Sequence, residues 1–327
     1  MAAHNNAIVQ LKSFNPSAQP QRFYSFMSNS TANPFIKNPA PAIRAYLGGS
    51  FDPVHNGHLQ MALYVYQSLL PIAKLQQREL QVSLLPNARS PFKEQSTNPK
   101  HRLAMLKLAT QGTPLHINKL ELWQTPPVYT IDSVKTLRAR YPHDSLIFIM
   151  GMDSAQSLDK WQDGLALTDY VNLWVFNRLS TAENDSPANG KNFDNNKNPD
   201  KNKPRDDKDL ITQNSPALQA QLPIPLQPLI TDSATDLVTS ALRYFINSSN
   251  LKNAAQGRIY IDPRPVAAIS STQVRQKLRE QCPQIATLQP INAIINPTAP
   301  NSLAKWLNPA VYQYIIAHQL YSAAQFR

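Results

Sequence analysis

Apolar positions along residues 43–178 alternate between two spacings. Ile43–Leu47 is a short apolar run, and the stretch from His58 to Leu70 then carries Leu59, Ala62, Leu63, Tyr66, Leu69 and Leu70 at helical spacing. The alternation continues. Leu80–Leu85 reads as a second strand, His101–Thr110 as a helix with Leu103, Leu106 and Leu108, and Leu115–Ile117 as a short strand. Ile131–Arg140 reads as a helix for which Thr130 suits the N-cap. Ser145–Met150 is a strong buried strand, and Tyr170–Phe176 is another. Strands alternating with helices predict a parallel sheet with crossover helices, an α/β doubly wound fold. No internal repeat is visible.

The pattern lapses twice. Residues 1–42 carry no sustained periodicity and read as a polar, disordered tail. They are rich in Ser, Asn and Gln and overlap in character with an organellar transit peptide. With Arg22 as their one arginine they fit better as a polar extension on a cytosolic protein. The run from Ser180 to Asp209 is almost entirely Asn, Asp, Lys, Pro, Ser and Gly, with Phe193 the one large apolar group inside it. It cannot bury enough surface to offset its chain entropy, so a disordered insertion is expected, extending to about residue 220. A low-complexity binding arm is the alternative; the mixed-sign charge favours a solvated loop. Order resumes with a capped helix, Asp232–Ile246, then a short strand, Arg258–Ile261. Ser270 or Ser271 can cap a helix carrying Val274 and Leu278. A last helix, Trp306–Tyr321, places Leu307, Val311, Ile315 and Ile316 at helical spacing with Pro309 in its first turn. The expected organisation is a tail, 1–42, and one catalytic domain, 43–327, interrupted at about 180–220.

Composition narrows the class. Of 327 residues, 42% are hydrophobic, enough for a core, and proline (28) far outnumbers glycine (8), as in a globular domain with polar additions. The net charge of +11 favours anionic partners: nucleic acid, nucleotides or acidic membrane. Part of that excess belongs to the tail, because no acidic residue precedes Asp52. The single cysteine, Cys282, allows neither an intrachain disulfide nor a Cys-based zinc site, which fits a reducing, cytoplasmic setting. No apolar run approaches the length of a membrane span, and the N-terminus lacks the apolar core of a secretory signal.

Several common chemistries are excluded by motif. There is no G-x-x-x-x-G-K-[ST] loop, no G-x-G-x-x-G fingerprint, no H-E-x-x-H helix and no G-x-S-x-G elbow. What remains is Tyr46-Leu47-Gly48-Gly49-Ser50-Phe51-Asp52-Pro53-Val54-His55-Asn56-Gly57-His58-Leu59. It reads as strand, tight turn and helix, with two imidazoles three residues apart at the helix N-terminus. Free amides and the positive end of the dipole make such a turn an anion site, and Gly48 and Gly49 let the backbone approach a ligand closely. A zinc site is the weaker reading, because no third ligand lies nearby in sequence. Three more polar turns sit where strands end: Pro86 to Lys93, Gly151 to Ser154, and Asn177-Arg178. In open α/β sheets that is where ligands bind.

Gly-Gly-Ser-Phe-Asp-Pro-Val-His-Asn-Gly-His, paired with Ile269-Ser270-Ser271-Thr272-Gln273-Val274-Arg275, resembles the double signature of the nucleotidyltransferase superfamily of α/β phosphodiesterases. Within it the chain is similar to the bacterial nicotinate-nucleotide adenylyltransferases. The supporting segments are Leu85-Pro86-Asn87, Pro91-Phe92-Lys93, Glu121-Leu122, Pro127-Val128-Tyr129-Thr130, Phe148 to Ser154, Trp161, and Leu307 to Ile315. The resemblance covers about 43–178 and 230–322. It implies a Rossmann-like fold and adenylyl transfer from ATP to nicotinate mononucleotide, giving nicotinate adenine dinucleotide and pyrophosphate. It implies His55, His58 and Arg275 as catalytic residues. Gly48, Gly49, Ser50, Phe51, Gly57, Gly151, Asp153, Ser154, Ser271 and Thr272 would line the ATP site. Asn87, Lys93, Thr130, Trp161 and Arg178 would serve the mononucleotide, with Trp161 stacking on the nicotinate ring. Mg²⁺ would be carried by ATP phosphates and water, with no protein metal ligand.

Two departures from the family pattern matter. Ser90-Pro91-Phe92-Lys93 replaces a Pro-Pro-His-Lys type loop, so any histidine role there is lost. Asn177-Arg178-Leu179-Ser180 keeps the arginine of an Arg-Pro-Gly turn but leads into the long insertion. The alternatives are another transferase of the superfamily, acting on nicotinamide mononucleotide or pantetheine phosphate, and a nucleic-acid-binding protein prompted by the net charge. The second lacks a Lys-Met-Ser-Lys-Ser element and any aromatic–basic RNA motif. Oligomeric state is not specified by these features.

Overall fold

Seven strands, all parallel, form the central sheet of the computed structural model, which describes residues 40–89, 96–177, 216–239, 257–285 and 303–321. The strands are β1 (Ile43–Gly49), β2 (Leu80–Pro86), β3 (Leu115–Ile117), β4 (Ser145–Gly151), β5 (Asn172–Phe176), β6 (Ile230–Thr231) and β7 (Ile259–Asp262). Their spatial order is β3-β2-β1-β4-β5-β7-β6. Ala45 of β1 lies opposite Val82 on one side and Ile147 on the other. Every residue of β4 and β5 is buried, which is why their sequences read as continuous apolar runs.

Alternate residues of these strands feed two cores. Ile43, Ala45, Leu47, Val82, Leu84, Ile147, Ile149, Trp174 and Phe176 face one way. They are covered by α1 (Asn56–Leu75), α2 (Pro99–Thr110), α7 (Ser271–Ile285) and α8 (Pro309–Ala317). Tyr46, Leu146, Phe148, Met150, Leu173 and Val175 face the other way. That side is covered by α3 (Thr130–Arg140), the short α4 (Met152–Ala155) and 3₁₀ turns at Leu158–Lys160 and Gly164–Asp169. Helices on both faces make the fold doubly wound, as the alternation predicts. Between β5 and β7 lie two short helices, α5 (Pro216–Gln219) and α6 (Asp236–Thr239), and a 3₁₀ turn at Ile224–Leu229.

Element boundaries moved for local reasons. α1 begins two residues before the expected start and runs through Pro71 to Leu75. Its buried stripe is Met61, Ala62, Val65, Leu69 and Ala73, whereas Leu59, Leu63 and Tyr66 are only partly covered. α2 buries Arg102, Met105, Leu106 and Ala109, a stripe turned away from Leu103 and Leu108. Tyr129, not Thr130, is the N-cap of α3, and Thr130 is its first helical residue. The expected Trp306–Tyr321 helix is instead a 3₁₀ turn, Leu303–Lys305, followed by α8. Asn308 caps α8 by accepting from the Ala310 amide at 2.9 Å, and Pro309 is its first residue. β6, two residues long, has no periodicity to betray it. The expected Asp232–Ile246 helix starts only at Asp236; its residues 240–246, the tail before residue 40, the low-complexity stretch, Lys93 and Arg178 lie outside the described residues.

Candidate active site

The strand order reverses between β1 and β4, and the crevice beyond their C-terminal ends is the expected ligand position of an open α/β sheet. β1 ends in Gly48-Gly49. A Cβ on Gly48 would lie 2.4 Å from the Phe148 ring, so only glycine lets β1 close against β4 there. Phe51 then takes a left-handed conformation (φ 47°), and its buried ring comes under Gly49. The chain turns into α1 with His55 as N-cap and His58 at the third helical position.

His58 supplies the side-chain half of a capping box at the start of α1. The His58 amide donates to the His55 carbonyl at 2.9 Å, and the His55 amide donates to His58 Nδ1 at 3.3 Å. Because Nδ1 accepts, neutral His58 carries its proton on Nε2, which makes Nε2 the donor. The rings stack at 3.7 Å between centroids, and Phe51 meets His58 edge-on at 4.9 Å. Both imidazoles are buried.

The late motif arrives at this turn. Ser270 caps α7 by accepting from the Gln273 amide at 3.2 Å. Ser271 Oγ donates to the Pro53 carbonyl at 3.0 Å, and Arg275 Nη1 donates to the Asp52 carbonyl at 2.7 Å. Arg275 Nη2 also donates to Thr272 Oγ1 at 3.1 Å. A Cβ on Gly57 would come within 3.2 Å of the Ala267 carbonyl, so the two motifs meet there as well. Asn56 is held from a third direction: its amide donates to the Trp306 carbonyl at 2.8 Å and its side chain to the Lys305 carbonyl at 3.0 Å.

The other expected residues sit on neighbouring loops. Gly151 is the N-cap of α4, two residues beyond the Leu47–Ile149 pair, with Asp153 exposed and Ser154 half-buried in the first turn. The Asn87 amide donates to the Gly49 carbonyl at 3.0 Å, which seats the loop after β2 beside the loop after β1. Thr130 is half-buried at the start of α3. Trp161 is half-buried against the second core, in a turn closed by Gly164, where a Cβ would lie 2.1 Å from the Leu158 carbonyl oxygen. No hydrogen bond or ring contact among the described residues ties Thr130, Trp161, Asp153 or Ser154 to the histidine turn.

Two residues outside both signatures, Arg102 and Tyr321, hold this turn from below, the second through Asp52. Arg102 is fully buried. Its guanidinium donates to the carbonyls of Thr97 (3.0 Å), Ser50 (2.8 Å), Asn87 (2.8 Å) and Ala88. Burial lowers its pKa, and the Asp52 charge opposes that shift. Asp52 is buried too; its Oδ1 accepts from Tyr321 Oη at 2.7 Å and its Oδ2 from the Thr97 amide at 3.0 Å. Burial, then the Asp52 charge, pushes the Tyr321 hydroxyl well above the usual tyrosine range. Arg102 had a readable signal: a cation spaced three, four and seven residues before Met105, Leu106 and Ala109 lies on the apolar face. Tyr321 had none.

Glu121, in the turn after β3, is buried, and burial pushes its carboxyl up to about 7 against a smaller opposing pull from Ser133. The folded chain therefore keeps a proton that an unfolded glutamate releases near its ordinary 4.5. The associated stability is full below about 4.5 and is lost as pH rises through about 7. Glu121→Gln should remove that loss. The expected result is a melting temperature for the variant that gains on the unmodified protein as pH rises from about 5 to about 8; a constant difference would contradict it.

Among the described residues no group of three His, Cys, Asp or Glu side chains is arranged to hold a metal ion, and no helix is long and apolar enough to cross a membrane. Residues 46–277 match the cytidylyltransferase-like family. The chain is 35% identical over 281 residues to a probable nicotinate-nucleotide adenylyltransferase of Idiomarina loihiensis, covering 85% of this chain and 99% of that one. It is 28% identical to a protein of the same description from Pseudoalteromonas atlantica, covering 88% and 97%. A solved structure of Plasmodium falciparum nicotinic acid mononucleotide adenylyltransferase complexed with NaAD aligns with a TM-score of 0.49 at 15% identity, covering 86% and 97%.

Proposed function

The chain belongs to the cytidylyltransferase-like family, within it to the nicotinate-nucleotide adenylyltransferases, and we propose that the His55–His58 turn and the start of α7 are the two jaws of its triphosphate site. The reaction is adenylyl transfer from ATP to nicotinate mononucleotide, giving nicotinate adenine dinucleotide and pyrophosphate in NAD biosynthesis. The observation that carries the reading of the site is the Arg275–Asp52 and Ser271–Pro53 pair of hydrogen bonds, which joins the two signatures across more than two hundred residues.

The chemistry asks for positioning more than for a strong base. An oxygen of the mononucleotide phosphate, anionic at neutral pH, attacks the ATP α-phosphorus. The bond from that phosphorus to the bridging oxygen breaks, and pyrophosphate leaves in line with both electrons of that bond. His58 donates from Nε2 to the phosphate oxygens as charge builds, with His55 stacked behind it. Arg275 balances charge on the β- and γ-phosphates, aided by Thr272 and the N-terminal amides of α7. Gly48, Gly49, Ser50, Phe51 and Gly57 shape the turn, and Gly151, Asp153 and Ser154 border the nucleotide from β4.

Both oxygens of the Asp52 carboxylate are engaged by Tyr321 and Thr97. The donor set therefore fits a Mg²⁺ carried by the nucleotide's phosphates and water, which would supply charge balance to the leaving pyrophosphate. The single cysteine is in keeping with a cytoplasmic enzyme.

Asn87, Lys93, Thr130, Trp161 and Arg178 form the proposed mononucleotide side. Trp161→Ala should raise the KM for nicotinate mononucleotide about tenfold, within the range of a lost aromatic stack, and leave that for ATP near its starting value. An effect confined to ATP would contradict the stacking role. The function itself is tested by pyrophosphate release from ATP with nicotinate mononucleotide, nicotinamide mononucleotide or pantetheine phosphate as acceptor. Nicotinate mononucleotide should give the highest kcat/KM; equal or higher values with another acceptor would overturn the assignment.

A further inference from the structure

We propose that Tyr321 is a positioning residue for the triphosphate site, acting on Arg275 through Asp52. The inference rests on the reading of Arg275 as a ligand of the β- and γ-phosphates and adds a residue that neither signature contains.

Asp52 is held on two sides. Its carboxylate is turned toward Tyr321 and the Thr97 amide, while its carbonyl is turned toward Arg275. One residue thus links the phenol on one side to the guanidinium on the other. The carboxylate is buried, so the Tyr321 hydroxyl is a charge-assisted donor to a group that has little water to fall back on. Tyr321 is itself fully buried, and left-handed residues at Gln319 (φ 51°) and Tyr321 (φ 63°) bend the chain sharply after α8. Without the hydroxyl, Oδ1 of Asp52 loses a partner, and the carboxylate relaxes toward Arg102 or Arg275. Either movement rotates the Asp52 peptide and takes the Arg275 acceptor with it.

A residue that merely stabilises the domain would weaken both substrates alike. A residue acting through Asp52 should affect the triphosphate alone, and its effect should vanish once Arg275 is already altered. The experiment is a double-variant cycle on the full chain, with calorimetric binding of α,β-methylene-ATP and of nicotinate mononucleotide.

Tyr321→Phe should weaken the ATP analogue about tenfold, the scale of one hydrogen bond to a charged group, and leave the mononucleotide within about twofold. Arg275→Lys should weaken the analogue by at least as much, and the double variant should bind no worse than Arg275→Lys alone. Losses that multiply in the double variant, or that fall equally on both ligands, would overturn the proposal.

Should Tyr321→Phe fail to fold, Asp52→Asn takes its place. Its single side-chain oxygen can face Tyr321 or the Thr97 amide but not both as the carboxylate does, so the side chain is no longer pinned from two sides, and the same selective, non-multiplying loss is expected. Analogue binding is read without turnover. A chain that shows the coupling but does not use nicotinate mononucleotide would refute the activity reading and leave this proposal standing.

Discussion

His58→Ala is expected to lower kcat by about 100-fold or more, the scale of removing one preorganised donor to a developing negative charge. The size follows from what His58 does at once. Its Nδ1 is committed to the His55 amide, which fixes Nε2 as the donor, and its ring stacks on His55 and abuts Phe51. No other side chain in the first turn of α1 supplies such a donor: that of Asn56 already donates to the Lys305 carbonyl, and Gly57 has none. The alanine variant also loses half of the capping box, costing about 1 kcal/mol of stability. His58→Gln separates the two effects, because glutamine at this position can still accept from the cap amide. It should melt close to the unmodified protein while remaining strongly impaired in turnover. Near-normal turnover in either purified variant would refute the role given to His58.

Arg102→Ala should be the most damaging change to the fold among residues that never touch substrate. Four main-chain carbonyls, from three separate loop positions around β1 and β2 and the start of α2, converge on one guanidinium. Removing it takes the guanidinium donor from all four, two of them, Thr97 and Ala88, in buried surroundings, and leaves the Asp52 charge without its buried neighbour. The expected loss is about 3–5 kcal/mol, as for breaking a buried charged network from one side. For a domain of this size that lowers the melting temperature by about 10 °C. Arg102→Lys should recover only a minor part, because one ammonium cannot reach four carbonyls spread around a planar fork. A melting temperature within about 2 °C of the unmodified protein would contradict the account.

The sheet and its order of helices were legible because β1, β2, β4 and β5 are short apolar runs separated by helical periods. Buried parallel strands have no alternative face to display. The histidine turn was legible because glycines and imidazoles crowd a strand–helix junction. Helix limits were less so. α1 runs past its expected end at Leu70 and through Pro71, because Ala73 in the following turn is buried against the core and the proline itself faces solvent. The partners of Asp52 were not legible at all. Tyr321 is 269 residues away in sequence, and a hydrogen bond over that distance leaves no trace in spacing or composition.

Those separations also set the order in which the protein can acquire its activity during synthesis. The turn carrying His55 is made early, but its hydrogen-bond partners at Ser271, Arg275, Lys305 and Tyr321 follow it by 218, 223, 249 and 269 residues. Closing such loops delays their contacts rather than weakening them, since the entropy cost grows only with the logarithm of length. A nascent chain that has already paired β1 with β2 and β4 would therefore hold a formed sheet edge with an unfinished nucleotide site. A chain ending before residue 271 would lack the Ser271–Arg275 jaw and with it the bonds to Pro53 and Asp52, so the nucleotide site is completed only by the last part of the chain to be made.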